Sequence, residues 1–276
     1  MKFKTILCCM LINSFALSKV IIWDFGGITF NPNKWGVAMN IGIHHFIFYA
    51  MVDFQNPNIQ KMLFEFLEEI KRESGKDKYL SAGTAEGMPL PPIMCDWQSG
   101  KISGPEIIKK AKENIKELER LGYFRSNREK ILVEKTISAM FDPKTLANNV
   151  YPVKQGIDLL KECAFAKNPD GSRKNLNIAF SNWDPLSFDI FYKLNKDSFK
   201  YFDEIVVSGH IGLIKPDKDS YEYVLRKYNL NPKDCILIDD QEVNAQGAKK
   251  CGIQTILLKK WNYKDLRLKL KMQGAL

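Results

Sequence analysis

The stretch Val20-Ile21-Ile22-Trp23-Asp24-Phe25-Gly26-Gly27-Ile28, residues 20–28, decides how this chain is read. Its apolar run predicts a strand, and the strand ends on a carboxylate before it breaks into paired glycines. Such an ending sets Asp24 at the edge of a sheet, where backbone can close on a phosphate or a metal ion. Asp24 is therefore the first candidate nucleophile. Gly26 and Gly27 leave the turn beside it without side chains.

From Tyr151 onward, apolar strands alternate with amphipathic helices. Pro152 to Lys161 is predicted as a helix, Asn177 to Phe180 as a strand ending at Ser181, and Leu186 to Leu194 as a helix. The pattern continues with a strand at Glu204 to Val207 and a helix at Asp219 to Tyr228. It closes with a strand at Cys235 to Ile238 stopping at Asp239, a helix at Gln241 to Lys250 and a strand at Ile253 to Leu258. Alternation of this kind predicts an α/β fold, a Rossmann-like parallel sheet with helices on both faces and ligands at the carboxyl ends of its strands. The segment from 33 to 150 breaks the pattern. It carries helical periodicity at Asn58 to Arg72, Gly104 to Leu121 and Arg128 to Met140, with a loop rich in Gly and Pro at Ser81 to Pro92. We read residues 19–32 and 151–276 as the α/β core, and residues 33–150 as an inserted α-helical cap domain able to close as a lid.

Composition excludes several classes. With 45% hydrophobic residues in 276, the chain can bury a substantial core and is not disordered. The formal charge of +9 is spread among acids, as in KKAKENIKELER at 109–120. That pattern describes a solvated helix face, so no nucleic-acid partner is expected and the positive field suits a small anionic substrate. Lys2 and Lys4, the apolar stretch Thr5 to Leu17 and the small residues at Ala16-Leu17-Ser18 read as a signal peptide over residues 1–18. Cleavage after Ser18 would make the protein exported, periplasmic or secreted. Otherwise it is cytoplasmic, with this stretch as a buried first strand or helix. The stretch is too short for a stable membrane span. None of the six cysteines forms a CxxC pair or sits at zinc-ligand spacing with histidine. Nothing in the sequence fixes the oligomeric state.

The predicted strand ends bring together Asp24, Ser181, the pair Asp239-Asp240 and, in the loop after Val207, Lys215. A nucleophilic carboxylate, a hydroxyl, a fixed cation and metal-binding carboxylates are the groups that phosphoryl transfer through an aspartyl intermediate requires. The motifs VIIWDFGGI (20–28), IAFSNWD (178–184), GLIKPDKDSY (212–221) and ILIDDQEVNAQGAKKCGI (236–253) resemble those of the haloacid dehalogenase-like hydrolases. Within that superfamily, they resemble the phosphatase-like branch with a helical cap, and CDWQSGKIS at 95–103 is similar to a cap segment of that branch.

The resemblance implies an enzyme, a Mg2+-dependent phosphatase acting on a small phosphorylated substrate. Asp24 would be its nucleophile, and Asp24, the carbonyl of Gly26 and Asp240 would hold Mg2+, with Asp239 binding directly or through water. Ser181 and nearby backbone around Asn182 and Gly27 would hold the phosphoryl group, Lys215 would offset its charge, and Asn244 would steady the metal loop. Trp183 would line the substrate pocket, with Trp35 and Trp97 as further aromatic candidates. The chain departs from the family at Gly26, where phosphatases generally carry a second aspartate as general acid and base. Loss of that group costs roughly 10²–10⁴ in rate, least for aryl or acyl leaving groups. His44, His45, Asp184 and His210 are the candidate substitutes. Two alternatives follow: a phosphate-binding regulatory protein or pseudoenzyme with little turnover, and a haloacid dehalogenase-type hydrolase.

Overall fold

The computed structural model describes residues 19–42, 45, 59–70 and 90–276. Five strands form a parallel sheet: β1 (Lys19–Trp23), β4 (Asn175–Ser181), β5 (Glu204–Val207), β6 (Cys235–Asp239) and β7 (Gln254–Leu257). Their order is β5-β4-β1-β6-β7, so β1 is central and takes hydrogen bonds from both sides. Its residues alternate between two cores, as the period-two geometry of a strand demands. Ile21 and Trp23 pack with Leu160, Phe188, Phe191 and Leu266, while Val20 and Ile22 pack with Tyr221, Val224 and Ala248. Helices therefore cover both faces, which is why β1 and β6 read as unbroken apolar runs.

Register carries the chemistry to one edge. Trp23 pairs with Ala179 and Ile238, so Asp24, Ser181 and Asp239 leave the sheet at neighbouring strand ends. Asp24 continues the ladder by one bond, its N–H reaching the Ile238 carbonyl at 2.9 Å. Beyond it, Phe25 is fully buried among Phe30, Phe188, Phe199, Phe202 and Trp183, which anchors the turn that carries the glycines.

Between β1 and β4 lie helices Ile59–Glu68, Pro92–Gln98, Gly104–Arg120 and Asn127–Phe141, gathered around a core of their own that includes Phe66, Trp97, Ile107, Val133 and Phe141. Ser103 and Glu106 form a reciprocal capping box at the start of the Gly104–Arg120 helix. At the base of this unit, Phe30–Pro32 (β2) and Val150–Pro152 (β3) make a two-stranded antiparallel ribbon. The helix predicted from Pro152 instead begins at Lys154, because residues 150–152 are extended in that ribbon. The C-terminal helix Tyr263–Met272 and the short helices Pro92–Gln98 and Pro143–Asn148 were not anticipated. The sequence expectations for residues 1–18, 71–72 and 81–89 lie outside the described residues. Among those described, no helix is long and apolar enough to cross a membrane, and Cys163, Cys235 and Cys251 are free thiols.

Candidate active site

Asp24 is 6% exposed, and the two oxygens of its carboxylate have different surroundings. Oδ1 accepts a hydrogen bond from Lys215 Nζ at 2.9 Å. The same ammonium, 1% exposed, donates to Asp239 Oδ2 at 2.7 Å. Burial alone would depress Lys215, but the carboxylates of Asp239 and Asp24 outweigh it and hold the ammonium above its ordinary value. It is a fixed cation beside the candidate nucleophile.

Asp239 is saturated. Beyond Lys215, it accepts from the Gln241 N–H at 2.9 Å and from Asn244 Nδ2 at 3.1 and 3.2 Å. A carboxylate has about four acceptor sites, and these are filled, so Asp239 anchors Lys215 and the loop rather than offering a free oxygen. Asn244 steadies that loop as expected, itself held by Tyr221, whose hydroxyl donates to the Asn244 carbonyl at 2.7 Å.

Asp240 is the opposite case. Its Oδ1 is buried without a hydrogen-bond partner. Burial and the neighbouring charges of Asp24 and Asp239 push its carboxyl up to about 7. Burial likewise raises Asp24, to about 6, against the pull of Lys215. Oxygens of Asp24, Asp239 and Asp240 lie within 4.8 Å of one another. A buried, mutually repelling set with one orphaned oxygen suits a hard divalent cation. Gly27 makes room for it: at φ +69°, a Cβ there would collide with the Asp240 carboxylate. The donor set fits Mg2+.

Ser181, from the end of β4, is buried and lines a cavity shared with Gly26, Asn182 and Trp183. Asn182, expected at the substrate, lines this cavity, and its side chain clamps the Lys215 backbone. Its Oδ1 accepts from the Lys215 N–H and its Nδ2 donates to the Lys215 carbonyl, both at 2.8 Å. It positions the lysine. Trp183 both lines the cavity and stacks on Phe191, its indole donating to Ser187 Oγ at 2.7 Å.

Gly26 is exposed and open. A Cβ built there meets only Asp24 Oδ2, at 3.7 Å, which is ordinary contact, so the fold does not demand glycine at this position. Among the candidate substitute acids, Asp184 lines the same cavity, and burial raises its carboxyl. It is committed as a helix cap, accepting from the N–H and hydroxyl of Ser187. His210 pairs with Asp189 at 3.1 Å on the surface. His45 is described only to the extent of its backbone bond to Gly42, and His44 and the side chain of Trp35 lie outside the described residues.

Sequence reasoning missed two contributors. Tyr263 donates to the Ile28 carbonyl at 2.7 Å, tying the unpredicted C-terminal helix to the turn after Asp24. Ser208 Oγ donates to the carbonyl of Gln98, which lies in the 95–103 segment singled out in the sequence and lines the cavity, at 2.6 Å. A lone Tyr or Ser in a helical or loop context gives no signal of such a role.

The profile of the haloacid dehalogenase-like hydrolases matches residues 175–258, the segment that carries Ser181, Lys215 and Asp239-Asp240. Over this segment the chain is similar to that family. A haloacid dehalogenase-like enzyme of Bacteroides thetaiotaomicron superposes on the present protein with a TM-score of 0.52 at 17% identity, covering 90% of this chain and 98% of the other. The same enzyme, crystallised with magnesium and inorganic phosphate, gives a TM-score of 0.51 at 18% identity, covering 89% and 98%. At these identities the likeness concerns the fold. The chain is also similar to a glyceraldehyde 3-phosphate phosphatase of Methanopyrus kandleri, 23% identical over 179 residues, 60% of this chain and 71% of that protein. A bifunctional epoxide hydrolase 2 of Rattus norvegicus is 27% identical over 127 residues, 45% of this chain. A drimenol cyclase of Aspergillus calidoustus is 34% identical over 64 residues, 23% of this chain. The matched parts span only 21% and 12% of those last two proteins.

Proposed function

We propose that this protein is a Mg2+-dependent phosphoric monoester hydrolase working through an aspartyl phosphate on Asp24. One observation carries the proposal: a buried carboxylate held on one oxygen by Lys215, beside an Asp240 oxygen that has no partner. Asp24 Oδ2 forms the new bond to phosphorus while the bond to the ester oxygen breaks, and that oxygen leaves with the electron pair. Lys215 offsets the charge of nucleophile and phosphoryl group, and the Ser181 hydroxyl donates to a phosphoryl oxygen. Asp24, the Gly26 carbonyl and Asp240 would hold Mg2+, which when bound would supply further charge neutralisation. Water then attacks phosphorus, gives its proton to solvent, and releases phosphate with Asp24 restored.

Residues 33–150 act in this proposal as the cap. The β2–β3 ribbon at their base supports these limits. Close packing of Gly100 on the Gly209 carbonyl and the bond from Ser208 to Gln98 make the 95–100 segment a fixed wall of the site. Export after cleavage at Ser18 also belongs to the proposal; N-terminal sequencing of the protein recovered outside the cytoplasm should begin at Lys19.

Gly26 favours a second reading, a phosphate-binding regulator with little turnover. Assaying acetyl phosphate and aryl phosphates with and without Mg2+, beside Asp24→Asn, separates the two. The enzyme reading expects Mg2+-dependent release of phosphate that the Asn variant lacks. Phosphate binding without release supports the regulator, and release that survives in Asp24→Asn removes Asp24 from the chemistry. A dehalogenase is disfavoured by the orphaned Asp240 oxygen, and Mg2+-independent halide release would reverse that ranking.

A further inference from the structure

We infer, building on the phosphatase proposal, that the leaving group is a small aryl group, not a polyol. Three features converge on it.

The first is shape. The cavity of about 280 Å³ begins at Gly26 and Ser181, the phosphoryl end of the site. Ligand sites commonly span roughly 300–1,000 Å³, so this one is small. It suits a single ring better than a lipid chain or a nucleoside.

The second is the wall. Beyond the phosphoryl end, the cavity is faced by Phe30, Pro32, Trp97, Leu146, Val150 and Trp183. Its polar side chains are largely committed elsewhere, Asn182 to the Lys215 backbone and Asp184 to Ser187. Among the described residues, few side-chain polar groups of this wall are left for a ligand, Gln98 being the main one. A sugar phosphate would bring a row of hydroxyls, each carrying a desolvation cost where it is buried without a partner.

The third is proton supply. Gly26 brings no general acid to the ester oxygen and, among the described residues, the other carboxyl on the cavity, Asp184, is committed to Ser187, so the oxygen departs with little proton assistance. A phenol-type oxygen bears the resulting negative charge in its ring, whereas an alkoxide does not. The cavity wall and the missing acid are separate features of the chain, and both select the same class of ester.

The test uses the full chain with Mg2+ and acetyl phosphate as the reporter substrate, which has a good leaving group and no ring to seat. Phenylphosphonate and methylphosphonate, which cannot be hydrolysed, are compared as competitive inhibitors. Phenylphosphonate should inhibit at least about tenfold more tightly, and Leu146→Trp, which fills the cavity, should abolish that advantage. Leu146→Gln, a polar wall of similar length, should reduce it severalfold and serves if the Trp variant does not fold. Phenyl phosphate should exceed glycerol 3-phosphate in kcat/KM by about 10² or more. Hydrolysis of acetyl phosphate with equal inhibition by the two phosphonates would overturn the aryl assignment and leave the phosphatase proposal standing. No Mg2+-dependent hydrolysis of acetyl phosphate would overturn both.

Discussion

The two flanks of Asp24 are built to different standards. On the Oδ1 side, Lys215, Asp239, Gln241, Asn244 and Tyr221 form a buried hydrogen-bonded relay that leaves Asp239 no free acceptor, and Asn182 pins the lysine backbone from across the sheet. On the Oδ2 side stand an exposed Gly26, an Asp240 oxygen with no partner and a small apolar cavity. The difference separates two requirements of phosphoryl transfer. In the proposed reaction the charge of the nucleophile would be managed by groups the fold locks in place, whereas management of the proton would be left to the substrate. Fully satisfied buried networks tolerate little change; an open flank tolerates addition.

Breaking the saturated flank should have the largest effect. Lys215→Met leaves the Asp24 and Asp239 carboxylates buried and unpaired, a loss of about 3–5 kcal/mol in stability. Chemical denaturation should register that loss, with phosphatase activity reduced by at least about 10³. An Lys215→Met protein as stable as wild type would mean that the relay is not holding charge.

Completing the open flank should come next in size. Gly26→Asp places a carboxyl where a Cβ meets only Asp24 Oδ2. It should raise kcat on alkyl phosphates by about 10–10² and on aryl phosphates by much less. A uniform gain across leaving groups would show that the missing function is not proton donation.

The metal side of the comparison can be sharpened with pH. The folded-state values of Asp24, about 6, and Asp240, about 7, lie above the ordinary 3.8, so the folded protein binds protons more tightly than the unfolded chain. Metal-free protein should therefore lose stability as pH rises from about 4 to about 7. Mg2+ competes with those protons, so its stabilising effect should grow across the same window and be larger at about pH 8 than at about pH 5. Thermal melts with and without Mg2+ measure this directly. Asp240→Asn should flatten the Mg2+ effect, and an unchanged effect in that variant would move the metal elsewhere.

The smallest effect is expected at Asn244. Asn244→Ala removes both contacts to Asp239 while Lys215 and Gln241 remain, costing about 1–2 kcal/mol and a few-fold in kcat. Loss of activity as large as that of Lys215→Met would mean that Asn244 does more than hold a loop.

How much of this was legible in the sequence follows from burial. β1 and β6 announce themselves because central strands covered on both faces are apolar nearly throughout, and β4 and β5 by their apolar C-terminal halves; the ends of β1, β4 and β6 lead to Asp24, Ser181 and Asp239. The β2–β3 ribbon was not legible, since three-residue strands containing Pro32 and Pro152 carry no periodicity. Neither was the role of Asn182. A residue beside a candidate phosphate-binding serine reads as a ligand contact, and only the fold brings its amide against Lys215 from 33 positions away. Tyr263 and Ser208 were silent for the same reason, because their partners Ile28 and Gln98 are distant in sequence. The openness of Gly26 required coordinates as well: the letter G states that an acid is absent, not whether the backbone needs glycine there.

The most direct test of the contrast between the two flanks is acid quenching during steady-state turnover of phenyl phosphate, followed by mass analysis of the peptide that carries Asp24. A complete nucleophile flank with no base to activate water predicts that a large fraction of Asp24 carries the phosphoryl group in wild type, and that Gly26→Asp lowers this fraction while raising kcat. Turnover with no phosphoryl adduct on Asp24 in either protein, or an adduct on another residue, would contradict the account.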